Sequence, residues 1–300
     1  MTLPPDRAHI ATETRNPRTA QLHTLAVDDC VRLIQDEDCA IPAAMAAARA
    51  SIAAFITAAE PGFLRGGRLI QLGAGTSGRL AVLDASEAPP TFQVEPGRVV
   101  GIIAGGDASL RRSSEGMEDD ADGARAELEA LHLTADDAVI AIAAGGTTPY
   151  ALGALAVAKR HAACVTALIS CSPVPQPAHA DHLIILATGP EVVTGSTRMK
   201  AGTATKLCLN TISTTLMVRA GKVFENLMVD VRASNAKLRD RAARIVATLT
   251  GIDRAAAFAL LDQAGGAVKT AIAMHRLRLD RAGAEQRLAA AQGRLDRVID

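Results

Sequence analysis

Two hydrophobic periodicities divide the chain into a helical lead-in and an alternating region. Residues 25–58 carry apolar side chains at helical spacing, among them Val27 and Val31, and the spacing predicts helices that end at Pro61-Gly62. Further along, short apolar runs alternate with helix-length segments. The runs predict strands within 67–73, 98–103, 138–144, 164–170 and 182–187, and the longer segments predict helices at 119–131 and 149–162.

Short strands that alternate with helices are typical of right-handed βαβ units, so the sequence predicts an α/β fold with a doubly wound parallel sheet. The ligand site of such a sheet is expected beyond the carboxyl ends of its strands. A long amphipathic segment, 198–220, predicts a helix that ends at Gly221. Helices are also predicted at 235–249, 253–279 and 282–299, with breaks at Gly251 and Gly265-Gly266.

This pattern predicts three regions. They are a leader with helices at 1–58, a sheet domain at 59–232 and a small helical C-terminal domain at 233–300. With 300 residues, of which 49% are hydrophobic, the chain is long enough to bury one large core with a satellite domain.

The composition excludes several classes of partner. The 32 basic and 32 acidic residues cancel without long runs of either sign, so nothing favours nucleic acid or an anionic membrane. Aromatic residues are only 2% and tryptophan is absent, which removes the usual stacking platforms for bases. Five scattered cysteines, with no CxxC motif and no histidine at the spacing of a metal ligand, predict buried free thiols in a reducing compartment. The polar start and the lack of a membrane-length apolar run predict a soluble, cytoplasmic protein.

A glycine-rich turn follows the first predicted strand. Residues 73–79 have the spacing G-x-G-x-x-G, which alone is a weak dinucleotide signal. Asp107 follows Gly78 by 29 residues, later than the dinucleotide fingerprint expects, and Thr76-Ser77 supplies hydroxyls inside the turn. Backbone N–H groups and hydroxyls at a helix N-terminus favour a single phosphate. A structural turn without a ligand is the alternative.

A second turn of the same kind is Gly145-Gly146-Thr147-Thr148, between another predicted strand and a helix. Two such turns at neighbouring strand ends would converge on one anion. The alternative is a tight connection in which Thr148 caps the helix and Pro149 is its first residue.

A third segment, 189–203, is dense in hydroxyl groups and leads into the long helix. Ser196 and Thr197 precede Arg198 and Lys200, and the positive end of a helix favours anions. Capping by Ser196 or Thr197 is the alternative, but it explains one hydroxyl and not the cluster.

Two acidic segments, 84–90 and 114–120, offer candidates for acid–base chemistry. Glu87 stands next to Ala88 and two prolines, an apolar setting that would favour a protonated acid, and a carboxylate in the more polar second segment would serve as a base. Most glutamates are simply solvated, which is the alternative for both.

These four segments, together with 12–17, 226–231 and 235–238, resemble the N-acetylmuramic acid 6-phosphate etherases, which contain a sugar isomerase (SIS) domain. The resemblance covers nearly the whole chain and assigns 59–232 to the SIS domain. It implies cleavage of the D-lactyl ether of the sugar phosphate, giving N-acetylglucosamine 6-phosphate and D-lactate, in cell-wall amino-sugar catabolism, with no metal or organic cofactor. It also implies a homodimer whose neighbouring subunit completes the site.

By motif position, the resemblance implies that Glu87 is the proton donor and Glu118 the base, with Glu115 as the neighbour most easily confused with the base. A base removes the C2 proton of the open-chain sugar, an acid assists departure of lactate from C3, and water adds to the unsaturated intermediate. The predicted substrate-binding residues are Thr76, Ser77, Gly145, Thr147, Thr148, Glu191, Ser196, Thr197 and Lys200.

One departure from the family pattern concerns the second turn. A Ser-Gly-Arg-Thr-like sequence is expected there, but the chain has residues 145–148 as Gly-Gly-Thr-Thr, so one hydroxyl and one cation are missing. Two other functions stay open. The related glucokinase regulatory protein senses sugar phosphates without turnover, and an aldose–ketose isomerase would share the abstraction of the C2 proton but need no acid at C3.

Overall fold

The computed structural model describes residues 6–112, 115–231 and 235–299. Its five strands form one parallel sheet in the order β2-β1-β3-β4-β5. The strands are β1 (Leu69–Gly73), β2 (Val99–Ile103), β3 (Ala138–Ile142), β4 (Val165–Ser170) and β5 (His182–Ile185). All five predicted strands are confirmed, and β1 and β3 are buried along their whole length, as a sheet covered on both faces requires.

Twelve α-helices surround and follow the sheet within the described residues. They are α1 (Val27–Asp38), α2 (Ala40–Ala47), α3 (Arg49–Leu64), α4 (Gly75–Phe92), α5 (Arg125–Ala130), α6 (Pro149–His161), α7 (Lys200–Arg219), α8 (Ala236–Thr250), α9 (Arg254–Gln263), α10 (Val268–Leu277), α11 (Arg281–Ala290) and α12 (Asp296–Ile299). The predicted breaks at Gly221 and Gly251 are confirmed, and both residues have positive φ, which glycine adopts readily at a helix end.

Two predicted helix boundaries were wrong. The lead-in does not end at Pro61-Gly62, since α3 continues to Leu64 with Pro61 inside its last turns. The helix predicted over 119–131 begins only at Arg125. Before it, the Asp120 side chain accepts a hydrogen bond from the N–H of Asp122 (2.9 Å), and such local bonding by aspartate competes with helix formation.

The chain divides into two compact units. The first comprises the described residues up to Ser86 together with Gly97–Ser213, and the second comprises Glu87–Pro96 and the described residues from Thr214 onward. The boundary predicted between 232 and 233 lies outside the described residues, as does Ser114, so the three-region division stays a prediction.

In the first unit, alternate strand residues pack on opposite faces of the sheet. Ile70 and Val139 face the core that includes Leu155 of α6 and Leu128 of α5. On the other face, α3 packs against β3, β4 and β5, and Phe55 makes an edge-on ring contact with His182 at 5.8 Å. Helices on both faces confirm the doubly wound α/β fold.

The second unit has a core of its own, formed by α8 to α11 with Val229 and Val231. Lys269 is buried there, and its ammonium donates hydrogen bonds to Asp230 (2.7 Å) and to the carbonyl of Gly293 (2.6 Å). Burial lowers the pKa of Lys269 although the charge of Asp230 opposes this.

Among the described residues, no single helix is both long and apolar enough to cross a bilayer. The segments Val27–Ala47 and Arg49–Leu64 meet that criterion only when they are taken together across a bend of 50°.

Candidate active site

The turns after β1 and β3 open at the same edge of the sheet because the two strands are parallel neighbours, with Gly73 paired to Ile142. Helix α4 begins immediately at Gly75, whose φ of 53° few other residues adopt, and its first turn carries Thr76 and Ser77. Their hydroxyls therefore lie at the positive end of an 18-residue helix.

The segment before α7 meets these turns. A Cβ placed on Gly202 would lie 3.3 Å from the carbonyl oxygen of Thr197 and 3.4 Å from Cγ2 of Thr76. Glycine at this position on α7 therefore allows the 189–203 segment and the first turn of α4 to approach closely.

A cavity of about 290 Å³ lies where the three segments converge. Its size is near the lower end for small-ligand pockets, roughly 300 Å³. It is lined by Arg7, Ile10, Glu13, Ala74, Gly75, Thr76, Ser77, Glu118, Ile142, Ala144, Gly145, Thr147, Thr148, Gly195 and Thr197. The structure thus brings together seven of the predicted site residues: Thr76, Ser77, Glu118, Gly145, Thr147, Thr148 and Thr197.

Glu118 is held in this cavity from two directions. The hydroxyl of Thr148 donates a hydrogen bond to Oε1 of Glu118 (2.9 Å), and the N–H of Tyr150 donates to the Glu118 carbonyl (3.1 Å). Thr148 occupies the N-cap position of α6, with Pro149 at the first turn as predicted, but its side chain makes no capping bond. The predicted positions of Thr148 before the helix and of Pro149 in its first turn are confirmed, but the Thr148 hydroxyl bonds to Glu118 and not to the helix.

The N-terminal segment was not predicted to reach the site, yet Arg7, Ile10 and Glu13 line the cavity. Two hydrogen bonds fix the segment: the N–H of Thr12 donates to Oγ of Ser172 (3.2 Å), and the N–H of Gly195 donates to the Thr12 carbonyl (3.1 Å). The only sequence signal was the motif at 12–17, because no periodicity reveals that a polar leader folds back onto a sheet edge.

The chain is similar to known proteins both in its sheet domain and over nearly its whole length. The family described as glucokinase regulatory protein N-terminal SIS domain matches residues 51–159. N-acetylmuramic acid 6-phosphate etherases are 52% identical in Gloeobacter violaceus, over 99% of this chain and 97% of that protein, and 50% identical in Serratia proteamaculans, over 95% and 96%. The Deinococcus radiodurans etherase is 47% identical over 96% and 94%.

The chain belongs to the N-acetylmuramic acid 6-phosphate etherase family. It is an etherase with a SIS domain, as the sequence predicted. Within the described residues, no group of three His, Cys, Asp or Glu side chains is placed to hold a metal ion.

The other predicted acid–base residues, Glu87 and Glu115, are not among the residues that line the cavity. Glu87 belongs to the second unit, where its side chain is exposed on α4. Of the apolar neighbours that the sequence indicated, Ala88 is buried, whereas Pro89 is partly exposed and Pro90 is exposed. Glu115 begins a short 3-10 turn, but its side chain lies outside the described residues.

Glu191 and Lys200 do not line the cavity, and neither does Ser196. Glu191 is fully buried, and its carboxylate accepts hydrogen bonds from the N–H groups of Lys200 (3.1 Å) and Ala201 (2.9 Å). Burial raises the pKa of Glu191 although these two donors oppose it. Glu191 therefore caps α7, the role that the sequence offered to Ser196 or Thr197.

The ammonium of Lys200 forms a buried ion pair and does not face the cavity. It donates to Oε2 of Glu37 (2.7 Å), and both side chains are at least 94% buried. Asn16 donates to the same oxygen (2.9 Å), while the exposed Arg18 pairs with the other oxygen (3.1 Å). Burial alone would raise the pKa of Glu37, but the hydrogen bond and charge of Lys200, with Asn16 and Arg18, hold it below its ordinary value.

We expect Lys200→Met to destabilise the etherase by about 3–5 kcal/mol, because it removes the buried cation of the Glu37 carboxylate and leaves only the exposed Arg18. Replacing both partners, as Glu37→Leu with Lys200→Met, should recover much of this loss. The exposed pair Arg32–Asp29 supplies the control, Arg32→Met, with little effect. Urea unfolding measures all three, and a double variant no more stable than Lys200→Met would contradict the pairing.

The same pair predicts how stability depends on pH. Because the pKa of Glu37 is lowered in the folded chain, its contribution is present above the unfolded value of about 4.3 and is lost as pH falls through the lowered folded value. Urea unfolding of wild type and Glu37→Gln at pH 7 and pH 3.5 should therefore show a difference that shrinks at the lower pH. An unchanged difference would contradict this linkage.

The two glycines of the 145–148 turn have different constraints. Gly146 has φ of 75°, and a Cβ there would lie 2.7 Å from Cγ1 of Val174 and 2.9 Å from Oγ of Ser170. A Cβ on Gly145 would lie 3.4 Å from Cγ2 of Ile10, an ordinary contact. Gly146 is thus required by the backbone, while a Cβ would be accommodated at Gly145, where the resemblance led us to expect serine.

We therefore expect Gly146→Ala to destabilise the fold by at least about 1–2 kcal/mol, the strain of a side chain in the left-handed region. Gly145→Ala is the matched control and should unfold at nearly the wild-type denaturant concentration. Equal destabilisation by the two variants would contradict the difference in their surroundings.

Proposed function

We propose that the chain cleaves the D-lactyl ether of N-acetylmuramic acid 6-phosphate, giving N-acetylglucosamine 6-phosphate and D-lactate. The observation that carries this proposal is the cavity in which Glu118 faces hydroxyls from three loops. The relatives at 47–52% identity are N-acetylmuramic acid 6-phosphate etherases, and they indicate the substrate. The proposed setting is cell-wall amino-sugar catabolism in the cytoplasm.

The phosphate is bound at the first turn of α4. Thr76 and Ser77 offer hydroxyls there, and the N-terminus of the helix adds N–H groups and a favourable dipole. Gly145 offers a backbone N–H, while Thr147 and Thr197 offer hydroxyls to the sugar from the opposite loops.

Glu118 is the base that removes the C2 proton of the open-chain sugar. The electron pair of the broken C–H bond forms a C2–C3 double bond, and the C3–O bond to lactate breaks. Glu87 gives its proton to the departing lactate oxygen, and water then adds its hydroxyl at C3 and a proton at C2. A homodimer, in which the neighbouring subunit completes the site, belongs to the same proposal.

Thr148 orients the base. Its hydroxyl bond to Oε1 of Glu118 fixes one carboxylate oxygen, and among the described residues nothing bonds to Oε2, which is left for the substrate proton. A base held in one geometry loses less freedom when the substrate arrives.

The deciding experiment measures D-lactate release from N-acetylmuramic acid 6-phosphate by the purified protein. Wild type should release lactate, and Glu87→Gln and Glu118→Gln should each lose at least about 100-fold in rate, the scale for acid–base residues. Exchange of the C2 proton with solvent distinguishes the role of the proton donor from that of the base. Glu87→Gln should still exchange this proton, whereas Glu118→Gln should not. Lactate release that survives both changes would contradict the assigned roles.

A regulatory protein is the second candidate, because the matched domain family is that of the glucokinase regulatory protein. Sugar-phosphate binding without any lactate release would favour it. A ketose product without lactate would instead indicate an aldose–ketose isomerase.

Thr148→Val should lower kcat by about tenfold, since it removes a hydrogen bond to a charged group, while KM stays nearly constant. Thr148→Ser keeps the hydroxyl and should restore most of the rate. A valine variant that raises KM with unchanged kcat would show that Thr148 contacts substrate and does not act through Glu118.

A further inference from the structure

The cavity has an unusual balance of charge for a site that receives an anion. Its lining includes three charged side chains, namely Arg7, Glu13 and Glu118, of which two are carboxylates. A sugar phosphate would add about two more negative charges. Backbone N–H groups at α4 offset part of this, but two carboxylates beside a phosphate call for a full positive charge.

Within the described lining, Arg7 is the one basic side chain. The 145–148 turn supplies none, since Thr147 stands where a cation was expected. Lys200, the predicted cation of the 189–203 segment, is bound to Glu37 inside the protein.

The backbone places Arg7 firmly at this edge. The N–H of Ile10 donates to the Arg7 carbonyl (2.9 Å), which forms a tight turn. Ile10 is 5% exposed and packs at the Gly145 turn, and Thr12 is bonded to both Ser172 and Gly195. The anchored residues begin three positions after Arg7, so its guanidinium is tethered to the mouth of the cavity.

The Arg7 side chain is exposed, and the described residues provide it with no ion-pair partner. Glu13, which lines the same cavity, lies instead beside Gly195, where a Cβ would be 3.1 Å from its Oε2. The five guanidinium donors of Arg7 therefore remain available to a ligand.

We propose that Arg7 binds the phosphate of the substrate and replaces the cation that the 145–148 turn lacks. A planar guanidinium can donate two parallel hydrogen bonds to phosphate oxygens. This assignment rests on the proposed sugar-phosphate substrate and names a contact for its phosphate. It makes the N-terminal segment a part of the binding site.

The test compares Arg7→Gln, Arg7→Lys and the control Arg49→Gln, which removes one exposed positive charge at the start of α3, outside the cavity lining. Arg7→Gln should raise KM for N-acetylmuramic acid 6-phosphate by about 10- to 100-fold, the scale of a charged hydrogen bond, with kcat changed less than about threefold. Arg7→Lys should recover part of the loss. A KM equal to that of Arg49→Gln would overturn the proposal.

A ligand-side comparison isolates the phosphate. Calorimetric titration with N-acetylglucosamine 6-phosphate should show the same loss of affinity in Arg7→Gln, whereas N-acetylglucosamine without phosphate should bind wild type and variant alike. Equal losses for both ligands would overturn the contact with phosphate.

This titration also separates the two proposals. If wild type releases no lactate, the proposed reaction fails, yet the titration still decides whether Arg7 binds phosphate. If lactate is released and Arg7→Gln binds the phosphorylated ligand normally, the reaction stands and the role of Arg7 is wrong.

Discussion

The buried ion pair of Glu37 and Lys200 is the interaction on which one wall of the cavity depends, because it fixes the start of α7 and the segment before it. It joins α1 to the first residue of α7, and Asn16 connects the N-terminal segment to the same carboxylate. Because a buried charge without its partner is costly, these three parts of the chain hold one arrangement. Glu191 adds a second constraint by capping the same end of α7. The segment 189–197 lies between these fixed points and carries Thr197 into the cavity.

The sheet supplies the other half of the arrangement. Parallel pairing puts the ends of β1 and β3 side by side, so the turns that follow must open toward one space. Glycines then allow backbone and side chains to approach: Gly146 is required by its positive φ, and Gly202 admits Thr76 beside Thr197. The cavity results from the direction of the strands and from small residues at a few turns. Its charged residues are positioned by contacts between residues that are far apart in the sequence.

Sequence predicted the parts of this structure that depend on local pattern. Buried parallel strands are continuous apolar runs, and all five were found because that pattern is local. The ion pair of Lys200 with Glu37 was not predictable, because the two residues are 163 positions apart and nothing in the sequence near Lys200 indicates that its ammonium is buried. The docking of the N-terminal segment was missed for the same reason. Its anchors, Ser172 and Gly195, lie far along the chain.

At Thr148, the local capping preference is overridden by a hydrogen bond to a residue distant in sequence. A threonine before Pro149 at the start of a helix is a strong capping signal, and a cap contributes about 1 kcal/mol. In the fold, the hydroxyl turns instead to Glu118, a residue 30 positions earlier. Helix α6 tolerates the missing cap because its buried face packs against the sheet, which provides most of a helix's stability. Departures from local preference concentrate at functional sites, so the uncapped helix end is itself an argument that the orientation of Glu118 matters.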